Sequence, residues 1–597
     1  MWTRWLLLLV AITIVSSEER IERIVQTPQG PVRGFKEPEY DIFAFYGIPF
    51  ASAPTGPHKF SAPYPPPAWL QTFDAIDKGV ICPQYKDVLF QNKSMQENCL
   101  ITNVYVPDTD KKKLPVVVYI HGGAFQLGFS NLAVPKNLVK SKKIIAITFN
   151  YRLGAHGFLC LGTKDVPGNA GLKDQIALLQ WVKKHISSYG GNPEDVTLAG
   201  YSAGSSSADL LMLSSAAKDL FNKVIPESGA NLSPFAIQID PLKTAKDYAK
   251  SVGFDNVDDL NALEEFYKTA SYDVLTKDSF LNRTDNNFFF VPCIERITGA
   301  GSVLSESPYN ILKKGKYRKI PVLYGFANME GLFRLPWFEV WKDKMNENFV
   351  EFLPTDLTFD NDKEKEEVIK EIKDFYFDSM PVSGENILSY IEYFTDTIFA
   401  FPTLRAARLH AEAGHDKVHL YEYNYVDESA PVIPHTNNLK GAYHCSQTQA
   451  VMDGSVWLNN NETDIPEEFS RVKKLMRDVW INFIITGIDG TPIKRVTEDR
   501  DLGVKFTADL LFRDHVVDVC KKAFKTLDEY IWRRRRPGLL VIPTGSTKLL
   551  CEAKGGSSFG ARGGGGGHIL VVKSQWVQIV KWVQIDPAQG PPGSALE

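Results

Sequence analysis

Short apolar runs typical of β-strands alternate with helical patterns along much of the chain, and this alternation most constrains the fold. The runs cover residues 114–120, 143–149, 196–200, 319–326 and 417–426. Strands separated by helical segments are typical of βαβ units, in which consecutive strands are parallel and a helix crosses between them. The sequence therefore predicts an α/β fold with a large, mainly parallel central sheet flanked by helices.

One crossover helix is predicted between the second and third of these runs. Its apolar residues are spaced by four, three, three and four positions, which is the period of one helix face: Leu172, Ile176, Leu179, Val182 and Ile186. Gly190 and Pro193 follow and predict its end. The charged run 362–378 is predicted to be an amphipathic helix with a solvated face, and we assign it no function.

The N-terminus is typical of a signal peptide. Arg4 precedes an apolar run over residues 6–15, and the small residues Ser16 and Ser17 follow it. A membrane-spanning helix needs about 20 apolar residues, roughly twice as many as this run has. We therefore predict that residues 1–17 are removed and that the protein is secreted, with no membrane span. A formal net charge of −4 lacks the basic excess of nucleic-acid-binding proteins, so no nucleic-acid partner is expected.

The seven cysteines are too few for a disulfide framework in a chain of 597 residues. Cys82 and Cys99 are close in sequence, and a secreted protein would keep the loop between them oxidised. An odd count leaves at least one thiol free or paired between chains. Four Asn-x-Ser/Thr sequences are candidate glycosylation sites if they lie on the surface: Asn92, Asn231, Asn282 and Asn461.

The end of the chain differs in composition from the rest. After Trp532 come four arginines, a glycine-rich stretch and the near-repeat WVQIVKWVQI. This composition is typical of a linker with an appended segment. We predict that residues 533–597 form a poorly ordered tail without a catalytic role. The arginines could be a processing site or a solvated run, and the repeat could pair with a partner.

In open α/β sheets, ligand sites form outside the carboxyl ends of the strands, so the residues after each predicted strand are the candidates. His121 begins the loop HGGAF, Ser202 lies in GYSAG and Glu330 lies in ANMEG. His435 and His444 lie in the loop after the last strand. The GxSxG motif is typical of a nucleophile elbow, and serine, acid and histidine follow in hydrolase order. Glu330 and His435 could instead be exposed loop residues. His121 and His444 could instead pack in the core.

Longer motifs extend this pattern: FYGIPFASAPTGPHKFSAPYPPPAW, ENCLITNVYVP, PVVVYIHGGAFQLG, NYRLGAHGFL, PGNAGLKDQIALLQWVKKHISSYGGNPEDVTLAGYSAGSSS and GAYH. Together they resemble the type-B carboxylesterase/cholinesterase family of α/β hydrolases. The resemblance is nearest to the secreted carboxylesterases of insects, including those of moth antennae. It extends from Arg23 to Trp532. One large domain over residues 18–532 is therefore expected.

The resemblance implies a role for the candidate site residues. Ser202 matches the nucleophile, Glu330 the acid and His444 the base, whereas His435 has no counterpart. The histidine would take the serine proton as the oxygen attacks an ester carbonyl, and the glutamate would orient the histidine. This chemistry needs no metal and no cofactor.

Further matches concern the oxyanion hole and the fold. Three residues match the family's backbone N–H donors to the oxyanion: Gly123, Ala124 and Ala203. Cys82 and Cys99 match the family's first disulfide. Glu97 and Arg152 match a structural ion pair.

The chain departs from the family pattern close to these residues. Tyr201 precedes the serine where most members have an acidic residue, and Ala124 replaces a glycine in the oxyanion loop. No tryptophan lies between Cys82 and Cys99, so the choline-stacking residue of acetylcholinesterases is missing. Phe235 falls near the acyl pocket, where it would limit acyl length, or it is a buried core aromatic.

The residues and the resemblance together predict a secreted serine carboxylesterase that acts on small to medium apolar esters. Odorant or pheromone acetates and dietary or xenobiotic esters are both compatible substrates. One alternative is a family member that has lost activity and serves as a binding or adhesion protein. Another is a scavenger that is acylated readily and turns over slowly, a property that Tyr201 could confer. The expected partner is a small-molecule ester, and the oligomeric state stays open.

Overall fold

The structure, a computed structural model, describes residues 20–86, 92–277, 286, 288–297, 299, 301–427, 430–453, 465–487 and 580–584. These residues contain fourteen strands: β1 (Glu22–Thr27), β2 (Gly30–Glu37), β3 (Ile42–Pro49), β4 (Phe73–Asp74), β5 (Val80–Ile81), β6 (Ser94–Met95), β7 (Ile101–Pro107), β8 (Leu114–Ile120), β9 (Ile145–Phe149), β10 (Gly191–Tyr201), β11 (Lys223–Glu227), β12 (Val322–Ala327), β13 (Val418–Tyr423) and β14 (Val580–Gln584).

Twelve of these strands form one sheet in the order β1-β2-β3-β7-β9-β8-β10-β11-β12-β13-β14, with β4 beside β2. The six strands from β9 to β13 in this order are parallel to their neighbours. The strands β1, β2 and β3 pair in antiparallel fashion, because the short turns between them cannot hold a crossover helix. The strand β7 is also antiparallel to β3. The predicted α/β fold with a large central sheet is confirmed, and its parallel part is the centre of the sheet.

Fourteen α-helices accompany the strands in the described ranges: α1 (Lys136–Val139), α2 (Gly154–Phe158), α3 (Ala170–His185), α4 (Ala203–Leu213), α5 (Pro241–Ser251), α6 (Leu260–Thr269), α7 (Tyr272–Leu275), α8 (Pro308–Lys314), α9 (Phe338–Glu347), α10 (Asp362–Phe377), α11 (Ile387–Phe394), α12 (Phe401–Glu412), α13 (Ser446–Val451) and α14 (Glu467–Thr486). The predicted crossover helix is α3, and Gly190 with φ 88° follows it. The charged run 362–378 forms α10, as predicted.

The core lies on both faces of the sheet, as the alternation of side chains along a strand requires. On β8, Val116 and Val118 belong to the apolar cluster that contains residues of α3 and α4. Val117 and Tyr119 belong to the cluster on the opposite face, which contains residues of α14. The continuous apolar sequence of this strand is therefore explained by burial on two sides.

The order of the parallel strands reverses at β8, because the chain goes from β8 to β9 on one side and then to β10 on the other. In open α/β sheets, such a reversal leaves a crevice at the carboxyl ends of the two strands. The loop that begins at His121 follows β8, and Ser202 follows β10. The fold thus brings these two segments together.

Two disulfides are present among the described residues. Cys82 and Cys99 are joined, as expected from the sequence. Cys160 and Cys293 are also joined across 133 residues, a pairing that the sequence did not predict. Cys445 is a free, buried thiol.

The expected ion pair between Glu97 and Arg152 is wrong. Arg152 pairs with Asp174 instead, with Nη2 2.6 Å from Oδ1, and its Nη1 donates to two backbone carbonyls. Glu97 lies 3.6 Å from His156 Nε2. Asp174 and the two carbonyls satisfy the hydrogen-bonding groups of the buried guanidinium, so Arg152 does not need Glu97 as a partner.

The predictions for the two chain termini and for the glycosylation sites fall largely on residues that the structure does not describe. The predicted signal peptide and most of the predicted tail lie outside these residues, so the domain boundaries stay predictions. Within the tail, β14 pairs with β13 in antiparallel fashion and is the last strand of the described sheet. Asn92 is exposed, whereas Asn231 is buried and unavailable to a glycan; Asn282 and Asn461 lie outside the described residues. No helix in the described ranges combines the length and apolar character needed to cross a bilayer.

Candidate active site

Ser202 occupies a strained turn between β10 and α4. Its φ of 54° and ψ of −123° are unusual for a residue with a side chain. A Cβ atom on Gly200 would lie 2.4 Å from the carbonyl oxygen of Gly204, and one on Gly204 would lie 2.2 Å from that of Ile120. The two glycines of GxSxG are therefore required, because strand and helix backbones approach each other too closely for any side chain.

The structure brings Ser202, His444 and Glu330 into one hydrogen-bonded chain. Ser202 Oγ lies 2.9 Å from His444 Nε2, and His444 Nδ1 lies 2.6 Å from Glu330 Oε2. The other oxygen, Oε1, accepts hydrogen bonds from the Ala327 N–H at 2.8 Å and from the Ser228 hydroxyl at 2.6 Å. When Nδ1 donates to the carboxylate, Nε2 can accept from the serine hydroxyl.

A π-helical turn over Thr395–Ala400 supports this arrangement from the side. It continues α11 into α12 and presents the Phe399 ring 4.3 Å from the His444 ring. The Thr395 hydroxyl accepts the N–H of Gly331, the residue after Glu330, at 2.8 Å. Single π-helical turns inside longer helices are frequent at functional sites.

The predicted oxyanion loop lies against the serine. Gly123 and Ala124 have φ values of 108° and 55° and line the pocket at Ser202. A Cβ atom on Gly123 would lie 2.1 Å from the Leu127 carbonyl oxygen, so the chain needs glycine there. Ala203 is the first residue of α4, where backbone N–H groups have no partner within the helix.

The serine opens into an apolar cavity of about 770 Å³. Five aromatic side chains line this cavity together with Ser202 and His444: Phe235, Phe288, Phe333, Trp337 and Phe399. The ring of Phe235 lies 5.7 Å from that of Phe288 and 5.8 Å from that of Phe399. Phe235 is thus both a buried aromatic and a lining residue, and the two interpretations of this position are compatible.

The other two histidines of the sequence analysis do not line this cavity. His121 is buried, with its ring 4.4 Å from that of Tyr151 and Nδ1 2.9 Å from the Gly122 carbonyl oxygen. Burial lowers the pKa of His121 to about 4, so its ring is neutral. His435 is exposed and lies 3.4 Å from Glu339. These positions agree with packing for His121 and with a surface location for His435.

Tyr201, the residue before the serine, lines the pocket and stacks on Tyr119 with ring centroids 6.0 Å apart. Burial raises the pKa of Tyr201, so its hydroxyl stays protonated. A neutral side chain thus precedes Ser202, at the position for which the family resemblance implies an acidic residue in most members.

A family model described as the carboxylesterase family matches residues 21–501 of the chain. The chain belongs to the carboxylesterase family. It is a carboxylic ester hydrolase with an α/β-hydrolase fold.

Relatives of this esterase span most of its length. A carboxylic ester hydrolase of Bombus ignitus is 30% identical over 503 residues, which cover 81% of this chain and 88% of the relative. A juvenile hormone esterase of Heliothis virescens is 30% identical over 508 residues, which cover 80% and 88%. The solved structure of a juvenile hormone esterase from Manduca sexta, with OTFP covalently attached, has a TM-score of 0.68 at 29% identity. It covers 78% of this chain and 90% of that one.

Several residues around Ser202, His444 and Glu330 of this carboxylesterase were not predicted from the sequence. Ser228 directly follows β11, so its place at a strand end was a signal, but residues 223–227 were not recognised as a strand. Gln447 donates to Ser228 Oγ at 2.5 Å and lies three residues after His444. Thr395 and Phe399 gave no sequence signal, because only the packing of the π-helical turn brings them to the site.

No group of three or more histidines, cysteines or acidic residues in the described part of this carboxylesterase could hold a metal ion. The arrangement at Ser202 instead supplies a hydroxyl, a base and an acid in contact with an apolar cavity. Such a constellation can perform acyl transfer through a covalent intermediate.

Proposed function

We propose that this carboxylesterase is a secreted serine esterase that hydrolyses small to medium apolar esters through Ser202, His444 and Glu330. The observation that carries the proposal is the hydrogen-bonded chain from the serine hydroxyl through the imidazole to the carboxylate, with distances of 2.9 and 2.6 Å. Its serine end opens into the apolar cavity. The proposal also assigns the oxyanion hole to a set of backbone N–H groups: Gly123, Ala124 and Ala203.

In the acylation step, Ser202 Oγ attacks the ester carbonyl carbon while its proton moves to His444 Nε2. The carbonyl oxygen becomes an oxyanion, and each backbone donor that binds it contributes roughly 3–4 kcal/mol to the stabilisation of the transition state. The intermediate then expels the alkoxide, which takes the proton from Nε2 and leaves as the alcohol. Glu330 stabilises the transient imidazolium and holds its tautomer.

Deacylation repeats these steps with water. His444 Nε2 takes a proton from the water as its oxygen attacks the acyl carbon, and a second oxyanion forms. Collapse of this intermediate breaks the bond to Ser202 Oγ, which regains the proton from Nε2, and the carboxylic acid leaves. Tyr201 is next to the acyl-enzyme and is neutral, so no carboxylate at this position helps to orient the water.

The cavity supports an apolar substrate. Its volume of about 770 Å³ falls within the usual 300–1,000 Å³ of small-molecule sites, and aromatic rings cover the region next to the triad. Odorant or pheromone acetates and xenobiotic esters are the two substrate types that we propose to test. Apolar pockets discriminate weakly between homologues, roughly 10–200-fold per methylene group, so a homologous series is needed.

Secretion is proposed from the N-terminal sequence and from the disulfides. Residues 1–17 have the pattern of a signal peptide. The bonds Cys82–Cys99 and Cys160–Cys293 agree with an oxidising compartment. A relative from Apis mellifera, 32% identical over 443 residues, is described as venom carboxylesterase-6.

The test is a p-nitrophenyl ester series from acetate upward, assayed with the purified protein and with Ser202→Ala. We expect sustained turnover by the native chain and loss of turnover in the variant, because Ser202 Oγ is the hydroxyl that His444 Nε2 contacts in the described part of the chain. A burst of one equivalent followed by little turnover would replace the proposal with the scavenger alternative. Hydrolysis that survives in Ser202→Ala would refute the assignment of the nucleophile.

The same series tests the acyl-pocket role of Phe235. Phe235→Ala removes a ring from the cavity next to the triad, so the preferred acyl chain should lengthen by several carbons. Phe221→Ala is the matched control, since Phe221 is also buried but does not line the cavity. An unchanged chain-length profile in Phe235→Ala would remove Phe235 from the acyl pocket.

A further inference from the structure

A second buried carboxyl group, that of Glu227, lies next to the proposed triad. Glu227 is the last residue of β11 and is fully buried. Its backbone carbonyl accepts the N–H of Ser202 at 2.8 Å. The following residue, Ser228, donates its hydroxyl to Glu330. Glu227 is therefore connected to the nucleophile through its own backbone carbonyl and to the acid through the side chain of the next residue.

The Glu227 carboxyl is only partly satisfied by hydrogen bonds. The Tyr421 hydroxyl donates to Oε1, while Oε2 is buried and has no hydrogen-bond partner among the described residues. Gln447 and Trp480 also approach this carboxyl. The amide nitrogen of Gln447 donates to Ser228, and its amide oxygen is buried with no hydrogen-bond partner in the described ranges. A proton on Glu227 Oε2 would provide a hydrogen-bond donor in the same region as the Gln447 amide oxygen.

The charges around Glu227 favour the same protonation state. The nearby charge of Glu330 raises the pKa of Glu227, because two like charges repel. Tyr119 on β8 and Cys445 before α13 also face it, and burial raises the pKa of each, so both are neutral. Burial, reinforced by the charge of Glu330 and opposed in part by the Tyr421 hydroxyl, raises the pKa of Glu227 to about 8.

We propose that Glu227 is a positioning residue that carries a proton in the active form of the esterase. With Glu227 neutral, the Gln447 amide donates to Ser228, and the Ser228 hydroxyl donates to Glu330. The inference rests on the proposed triad. If Glu227 loses this proton, two carboxylates share one water-poor region, and like charges there repel strongly. The new carboxylate also competes for the Gln447 amide, which otherwise donates to the Ser228 hydroxyl and helps to hold it on Glu330. The Ser228 hydroxyl then holds Glu330 less firmly, and the hydrogen bond between Glu330 and His444 Nδ1 weakens.

The direction of the pH effect follows from which form is active. The protonated form predominates below the pKa of Glu227, so activity is retained there. It is lost as the pH rises through about 8. For a single ionisation, kcat falls by about tenfold per pH unit above the midpoint.

The experiment measures kcat and kcat/KM from pH 6 to pH 10 for the native chain, Glu227→Gln and Tyr421→Phe. The probe is p-nitrophenyl butyrate, read where p-nitrophenol and its anion absorb equally. The native chain should show the alkaline loss, and Glu227→Gln should lack it, because an amide does not ionise in this range. In Tyr421→Phe the midpoint should move to higher pH, because the hydroxyl that stabilises the ionised form is gone.

Controls separate this inference from the triad proposal and from general effects of buried acids. Asp209 is another fully buried carboxyl, bonded to Tyr324 and to the Asn231 N–H, so Asp209→Asn should keep the native alkaline profile. An alkaline loss in Glu227→Gln at the native midpoint would overturn the inference. If that variant does not fold, an unchanged midpoint in Tyr421→Phe would overturn it. Either result, with Ser202→Ala inactive, would leave the triad proposal intact.

Discussion

At the scale of single residues, backbone contacts at the serine turn decide what the site tolerates. The space that a methyl group on Gly204 would occupy lies 2.2 Å from the Ile120 carbonyl oxygen and 2.7 Å from that of His121. These are backbone atoms of β8 and its loop, so they cannot rotate away. A side chain at this position must instead displace α4 and, with it, Ser202.

We therefore expect Gly204→Ala to reduce kcat by about a hundredfold or more, because a displacement of about 1 Å at a reacting group can cost that much. Steady-state kinetics with p-nitrophenyl butyrate would measure the loss. Gly301→Ala is the matched control, since a Cβ atom there meets no atom of the described residues within 4 Å. Native kinetics in Gly204→Ala would show that the turn is not as rigid as these contacts imply.

At the scale of elements, the Cys160–Cys293 disulfide ties two segments that the sequence places far apart. Cys160 follows α2, and Cys293 lies in segment 288–297, whose Phe288 lines the cavity. Asn169, just before α3, bonds both the N–H and the carbonyl oxygen of Cys293. One wall of the cavity is thus attached to the elements that follow β9.

The two disulfides should differ in their contribution to stability, because they close loops of different length. The separations are 133 residues for Cys160–Cys293 and 17 for Cys82–Cys99. The chain-entropy model gives about 5 and about 3 kcal/mol for these loops. Urea unfolding should therefore show a larger loss of unfolding free energy in Cys160→Ser/Cys293→Ser than in Cys82→Ser/Cys99→Ser. The reverse order would show that strain or residual unfolded structure outweighs loop entropy.

At the scale of the whole molecule, buried titratable groups couple stability to pH. Burial lowers the pKa of three histidines to about 4: His121, His415 and His419. Unfolded histidine titrates near 6.5, so between these values the unfolded chain binds more protons. These groups therefore destabilise the folded state as pH falls from about 6.5 to about 4. Asp209, whose pKa burial raises to about 7, acts in the opposite direction over this range.

Comparing variants isolates one term from this balance. His419→Gln removes a titrating group from β13, so its unfolding free energy relative to the native chain should rise as pH falls from 6.5 to 4.5. The expected rise is about 1 kcal/mol per pH unit, the scale set by one proton. Val418→Ala, a change without titration in the same strand, should shift stability equally at every pH. A pH-independent difference for His419→Gln would show that His419 titrates alike in both states.

The local sequence predicted more of the fold than of the candidate site. The fold class, α3 with its glycine stop and α10 follow from local periodicity and are confirmed. Glu330 and His444 could not be chosen over plainer interpretations from their own surroundings in sequence, and the family resemblance selected them. The resemblance predicted an ion pair between Glu97 and Arg152, and this prediction is wrong, because Asp174 on α3 forms the ion pair with the guanidinium.

The sequence by itself determined the alternation of strands and helices and the strained turn at Ser202, since both depend on residues close together in the chain. The tertiary structure alone decided which distant groups surround that turn. It joined Cys160 to Cys293, packed the Phe399 ring on the His444 ring, and placed the Glu227 carboxyl near Glu330. The physical reason is that packing and hydrogen bonding act through space, whereas periodicity records only local geometry.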